Sequence, residues 1–218
     1  MKKILFCAML LVFSATACKK DPSQLSFSLE NLTKLINRSP DYIKHASPGE
    51  IYTIKDEYLI FKIFNEIDGM NLAYLFYGFE DNKATEIDIL PSQVDNLDYA
   101  KLFMTFAEDE LGSSSLFHLE YLDDNSESQS EDFDTMADLW DFISGESLSA
   151  SEVENIIGYY RYNDYVILAG GFYYIGSSSS YFQPLIEISE YSSTVGKSNS
   201  KELMKDAFSN VMYFKTAK

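Results

Sequence analysis

Few residue types in this chain could do chemistry, and their spacing limits which chemistry. His45 and His118 are the only histidines in 218 residues. Neither has a second histidine four positions on, so a helical zinc pair of the His-Glu-x-x-His kind cannot form. The serine runs at 113–115 and 177–180 lack the Gly-x-Ser-x-Gly elbow that strains a nucleophile into an exposed turn, and read as loops. No glycine-rich phosphate cradle is present; Gly170-Gly171 reads as a turn. Asp123, Asn125 and Glu127 stand at alternate positions with Asp134 twelfth, which imitates a calcium loop. However, Ser128 stands where the sharp turn needs glycine, and Asp134 where a bidentate glutamate belongs. Two of the 34 acids could face each other as a glycosidase pair, but the ordinary role of so many carboxylates is a solvated surface. The expectation is no catalytic residue, no metal and no cofactor.

The tyrosines are the most informative group. Seven lie between Tyr159 and Tyr181. With two-residue turns at Asn163-Asp164 and Gly170-Gly171, cross-strand pairing places Tyr160, Tyr162, Tyr165, Ile167, Phe172 and Tyr174 on one face. The other face then carries Tyr159, Arg161, Val166, Leu168, Tyr173 and Ile175. Arg161 argues that this second face meets water, leaving Tyr159 and Tyr173 as flat, partly exposed rings. An internal alignment of Val166 and Leu168 with Leu59 and Phe61 argues for core instead. Strand tyrosines packed with their hydroxyls at the rim are one reading; a stacking platform of Tyr159, Arg161 and Tyr173 for a sugar or protein is the other.

The start of the chain concerns anchoring. Lys2 and Lys3 precede the apolar run Ile4 to Phe13, which has the layout of a secretory signal rather than a membrane span. Ala15, Thr16 and Ala17 directly before Cys18 resemble the lipobox of bacterial lipoproteins, with Ala15 where Leu is more usual. Lys19, Lys20 and Asp21 resemble the tether of Bacteroidetes-type outer-membrane lipoproteins. The resemblance implies that Cys18 carries the lipid and that the mature protein sits on the outer membrane, on its periplasmic or cell-surface side. Cys7 would leave with the signal, so no disulfide or thiolate site remains.

Charge bounds the partners. Residues 1–17 hold two lysines and no acid, so the formal charge of -17 becomes -19 in a mature chain. Such a surface repels nucleic acid and anionic headgroups, leaving membrane attachment to the acyl chains, and it attracts cationic proteins.

These residues must be positioned by an α+β fold. Ser28 caps a helix with Leu29, Leu32, Leu35 and Ile36 at helical spacing, and Ser39-Pro40 starts a second helix to His45. Runs at 51–54, 58–67, 70–79 and 84–90 read as strands of an antiparallel meander, with Asp68-Gly69 as a type I′ hairpin turn. A helix over 98–111 and a strand over 116–122 follow. Residues 123–134 read as an acidic loop or linker.

From Met136 the order reads as beginning again. Met136, Leu139, Trp140 and Ile143 echo the first helix, and Ser149 with Glu152 forms a capping box for a second. Strands follow near 159–162, 165–169 and 185–188, and a helix over 201–210. The expected organisation is a signal (1–17), a lipidated tether (18–26), a first α+β repeat (27–122), the acidic segment (123–134) and a second repeat (135–218). This makes two tandem helix-helix-four-strand-helix-strand repeats, with antiparallel sheet and helices on one face. In outline it resembles the tandem repeats of beta-lactamase inhibitor protein. The functional expectation is a non-catalytic binding lipoprotein for a cationic protein partner, of inhibitor or immunity type. The alternatives are a glycan-binding accessory lipoprotein using its tyrosines and a carboxylate-dependent glycan or peptide hydrolase.

Overall fold

A computed structural model describes residues 23–54, 58–93, 95–114, 116–175 and 180–191. The lipobox-like stretch with Cys18 and the expected helix over 201–210 lie outside them. Among the described residues four helices and nine strands are formed: α1 (Leu29–Thr33), α2 (Pro40–Ala46), β1 (Glu50–Ile54), β2 (Tyr58–Ile67), β3 (Met70–Glu80), β4 (Lys83–Pro91), α3 (Leu97–Leu111), β5 (Leu116–Leu122), β6 (Ser128–Phe133), α4 (Met136–Gly145), β7 (Val153–Tyr162), β8 (Tyr165–Ile175) and β9 (Ser180–Glu190). The strands make one antiparallel sheet in the order β1-β2-β3-β4-β9-β8-β7-β5-β6.

Local sequence explains the helix starts. The side chains of Ser28, Ser39, Asn96 and Thr135 each accept a hydrogen bond from a backbone N–H of the first turn, satisfying donors that the helix leaves unpaired. Gly112 ends α3 at φ 86°, a conformation that glycine adopts at little cost.

Period-two alternation then decides which side of the sheet each residue meets. One row of register partners runs Phe61, Leu75, Ile89, Ile186, Ala169, Gly158, Phe117, Phe133. This row lies on the side that α1, α2, α3 and α4 cover, in a continuous core with Leu29, Ile43, Phe103 and Leu139. Tyr160 in this core donates its hydroxyl to the Met104 carbonyl at 3.1 Å, which ties β7 to α3. The opposite, far face carries the row Ile60, Phe76, Asp88, Glu187, Leu168, Tyr159, Leu116. Among the described residues no helix lies over it; Ile157, Val166 and Leu168 form a separate small cluster there with Leu116, Tyr159 and Tyr191.

Several expectations need correction. Gly170-Gly171 is not a turn: both residues sit inside β8, with Gly170 between Ile157 and Leu185 and Gly171 between Ile156 and Pro184. They are glycines because the backbone of β7 and the Phe182 ring lie too close for a Cβ. Since β8 runs on without reversing, position parity continues, and Tyr173 faces the helices while Tyr159 does not. Val166 and Leu168 are buried on the far face, whereas Leu59 and Phe61 are buried under the helices, so the alignment between them does not correspond to position in the sheet. At the Asp68-Gly69 tip only Gly69 has positive φ, whereas a type I′ turn needs both. Asn65, at φ 55° beside an irregularity in the β2–β3 register, takes up the twist instead.

The acidic segment 123–134 is a turn followed by β6, which pairs with β5 from Leu122↔Ser128 to Phe117↔Phe133. A strand held by its backbone at a sheet edge needs no aliphatic side chains, so apolar periodicity does not reveal it. Ser149 N–H donates to Glu152 at 2.7 Å, but the capping box opens no helix. Only one turn separates it from β7.

Candidate functional site

On the far face, β2 and β3 are apolar at the positions that would ordinarily be polar. Tyr58, Ile60, Lys62 and Phe64 alternate with the buried Leu59, Phe61 and Ile63; Leu72, Tyr74 and Phe76 alternate with the buried Ala73, Leu75 and Tyr77. A sheet with one face in water normally shows polar residues there. Tyr52 of β1 is 54 % exposed and Phe64 is 49 % exposed, so the array is open at its outer side.

Geometry makes these rings one surface. The Tyr52 and Tyr74 centroids lie 5.6 Å apart with planes tilted by 51°, and Tyr58 stacks on Phe76 at 5.1 Å and 23°. Lys62, the cross-strand partner of Tyr74, places Nζ 4.3 Å from the centre of the Tyr52 ring. This is a cation–π contact in which the negative ring face attracts the ammonium. The surface offers flat apolar faces and tyrosine hydroxyls, an arrangement suited to binding.

Tyr159 and Arg161, expected at the ligand site, do share the far face. Tyr159 is partly buried beside Leu116 and Ile157, and burial raises its pKa above the ordinary tyrosine value, aided by the nearby Tyr191 and opposed by Arg161. Arg161 stacks its guanidinium 4.5 Å from the Tyr191 ring centre. Tyr173, the third expected residue, packs against the helix-side core and is separated from the other two by the thickness of the sheet. Sequence reasoning missed Tyr52, Lys62 and Tyr74. Their signal was the apolar character of both parities in β2 and β3, which marks a covered or a binding face.

Acidic chemistry sits elsewhere. Asp88 and Glu187 are cross-strand partners at the centre of the far face, with Glu86 two residues away, and all three are buried. At 3 % and 2 % exposure neither Asp88 nor Glu187 is presented to a substrate. The Asp123 carboxylate accepts from the backbone N–H groups of Asn125 and Glu127 and from Gln129 Nε2, at 2.9, 3.0 and 3.0 Å. These bonds, that from Glu127 foremost, hold its pKa below the usual carboxylate value. The calcium-like spacing therefore serves to close the β5–β6 turn, and no group of acids, histidines or cysteines among the described residues is arranged to hold a metal ion.

No helix of the described residues is long and apolar enough to cross a membrane. Comparison of the chain with protein-family models, with curated proteins and with solved structures finds no match.

Proposed function

We propose that this chain is a lipid-anchored, non-catalytic binding protein of the outer membrane. It presents the far face of β1, β2 and β3 to a protein partner with a basic surface. The observation that carries this reading is the array of Tyr52, Tyr58, Phe64, Tyr74 and Phe76, in which Tyr52 and Phe64 are exposed and the other three half-buried. Lys62 on the Tyr52 ring supports the choice of partner, because the same rings would accept a lysine or arginine from another protein. The net charge of -17 supports it further, since an acidic surface steers cationic proteins toward contact. Anchoring rests on Cys18 and the residues before it, as the lipoprotein resemblance implies.

A second reading keeps the site and changes the occupant. Sugars stack on flat tyrosine faces and hydrogen-bond to their hydroxyls, so a glycan would use the same rings. Salt separates the two, because charge steering is screened over about 8 Å at physiological ionic strength while stacking is not. The test is to bind the chain to basic peptides and to a glycan array at low and raised salt, repeating with Tyr52→Ala and Tyr74→Ala. A basic partner gives binding that weakens with salt and falls in both variants. Binding that resists salt yet needs the tyrosines would favour the glycan, and binding indifferent to both substitutions would remove the site altogether.

We also infer that the sheet derives from two related halves. The meanders β2-β3-β4 and β7-β8-β9 meet antiparallel at β4–β9, which gives an approximate two-fold relation between them. The relation supports a duplication in which β3 corresponds to β8. Superposition of the two meanders tests this, and mismatched core positions would oppose it.

A further inference from the structure

His118 is an ionisable group of the sheet that the binding face does not use. It lies on the far face of β5, 2 % exposed, between two carboxylates. Nδ1 is 2.5 Å from Asp132 Oδ1 on β6, and Nε2 is 3.5 Å from Glu120 Oε1 on its own strand. On β7 the residue opposite is Ile157, flanked on this face by Asn155 and Tyr159. Glu131 of β6 points to the other side of the sheet. The imidazole thus meets two acids; the one cation on the strands that flank it, Arg161 of β7, lies four positions along from Ile157 and sits over the Tyr191 ring.

We propose that His118 is a proton-operated latch that holds the edge strand β6 against β5, closing this end of the sheet when the imidazole is protonated and loosening it when the proton leaves. An imidazolium has two N–H donors and a positive charge, so it satisfies Asp132 and Glu120 together. Neutral imidazole has one N–H. If that proton stays on Nδ1 for Asp132, the bare Nε2 lone pair faces the Glu120 carboxylate; if it moves to Nε2, the lone pair faces Asp132.

Besides its ladder to β5, β6 is held by few side-chain contacts, among them Ser128 to Glu154 and Gln129 to Asp123. Its sequence, Ser-Gln-Ser-Glu-Asp-Phe, supplies one large apolar side chain, Phe133 against Phe142, and among the described residues no strand pairs with its outer edge. Opening it would bare the N–H and C=O groups of β5, the kind of edge to which another strand adds.

The sign follows from the surroundings. Burial alone would favour the neutral ring, but hydrogen bonds and charge from Glu120 and Asp132 outweigh it, and the His118 pKa is raised. The latch is therefore fully present below the unfolded value of about 6.5 and is lost as pH rises through the folded value. If opening returns His118 to its unfolded pKa, the opening equilibrium of β6 changes by up to about tenfold per unit of elevation.

The test uses the full chain in detergent. Hydrogen exchange of residues 128–133, corrected for intrinsic rate, is followed against pH beside the NMR titration of the His118 ring. The expected result is a midpoint above about 6.5 and a several-fold loss of β6 protection that tracks it. The loss should be absent in His118→Gln and in Asp132→Asn. Asp132 is half exposed at the edge, so its variant carries the test if His118→Gln does not fold. Protection that ignores the His118 titration, a midpoint at or below about 6.5, or an unchanged pH profile in Asp132→Asn would overturn the proposal.

Discussion

Replacing Gly170 by alanine tests the sheet at the point where sequence and structure part company. Gly170 lies within β8 at φ 153°, and a Cβ built on it would stand 1.9 Å from the Ile156 carbonyl oxygen and 2.8 Å from its carbon. Both atoms are backbone, so no side-chain rotation relieves the clash. Ordinary contact begins at 3.4 Å, and reaching it requires β8 to withdraw from β7 by about 1.5 Å, which stretches ladder hydrogen bonds beyond their useful range. Overpacking of this kind costs about 1–3 kcal/mol, and an L-residue held at this φ adds about 1–2 kcal/mol. The loss should be roughly 2–5 kcal/mol, a large part of the 5–15 kcal/mol typical of a domain. For a chain of this size it lowers Tm by roughly 4–20 °C.

The assay is urea unfolding followed by circular dichroism and by the fluorescence of Trp140, the only tryptophan. Gly145→Ala is the control: it ends α4 with nothing within 4 Å of its Cβ position, and it should be neutral or slightly stabilising. Gly171→Ala should fall between the two, because its Cβ meets mainly the Phe182 ring at 2.5 Å, which can partly turn away. A Gly170→Ala protein within about 1 kcal/mol of the parent would refute the mid-strand placement and the argument built on it.

Tyr77 and Ser47 share a buried 2.7 Å hydrogen bond, so Tyr77→Phe should cost about 1 kcal/mol in urea unfolding; an unchanged midpoint would show that the pair contributes nothing. Burial raises the pKa of Tyr77 and of Tyr160, the neutral phenol being the form the core accepts. Their contribution is thus constant below the unfolded value of about 10 and is lost above it. Alkaline titration at 295 nm should show these two phenols ionising only as the chain unfolds, and smooth titration of every tyrosine in the folded state would contradict that. Cys18→Ser should move the protein from the membrane to the soluble fraction, and acylation elsewhere with unchanged membrane association would reject Cys18 as the anchor.

Local chemistry determined a good deal. Helix starts at Ser28 and Ser39 and the strand runs of β2, β3 and β4 were legible because they depend on residues a few positions apart. The Asn163-Asp164 turn was legible for the same reason: Asn163 adopts φ 54° and Tyr162 pairs with Tyr165. What local chemistry could not fix was whether a given glycine pair reverses the chain or lies beneath a neighbour. A Gly-Gly sequence permits both, and only the presence of the Ile156 carbonyl and the Phe182 ring over Gly170 and Gly171 decides it. That one choice moved Tyr173 to the other side of the sheet from Tyr159, since a strand that continues keeps its parity and a hairpin changes its partners.

The same limit hid β6, whose pairing comes from backbone groups that every residue carries. It also hid the union of Tyr52, Lys62 and Tyr74, which are far apart in sequence and adjacent only through the β1–β2 and β2–β3 registers. Composition set the charge and the shortage of catalytic residue types. Tertiary register alone decided which rings and which carboxylates meet, because side-chain contact across a sheet depends on how strands align, and that alignment is a property of the whole packed sheet.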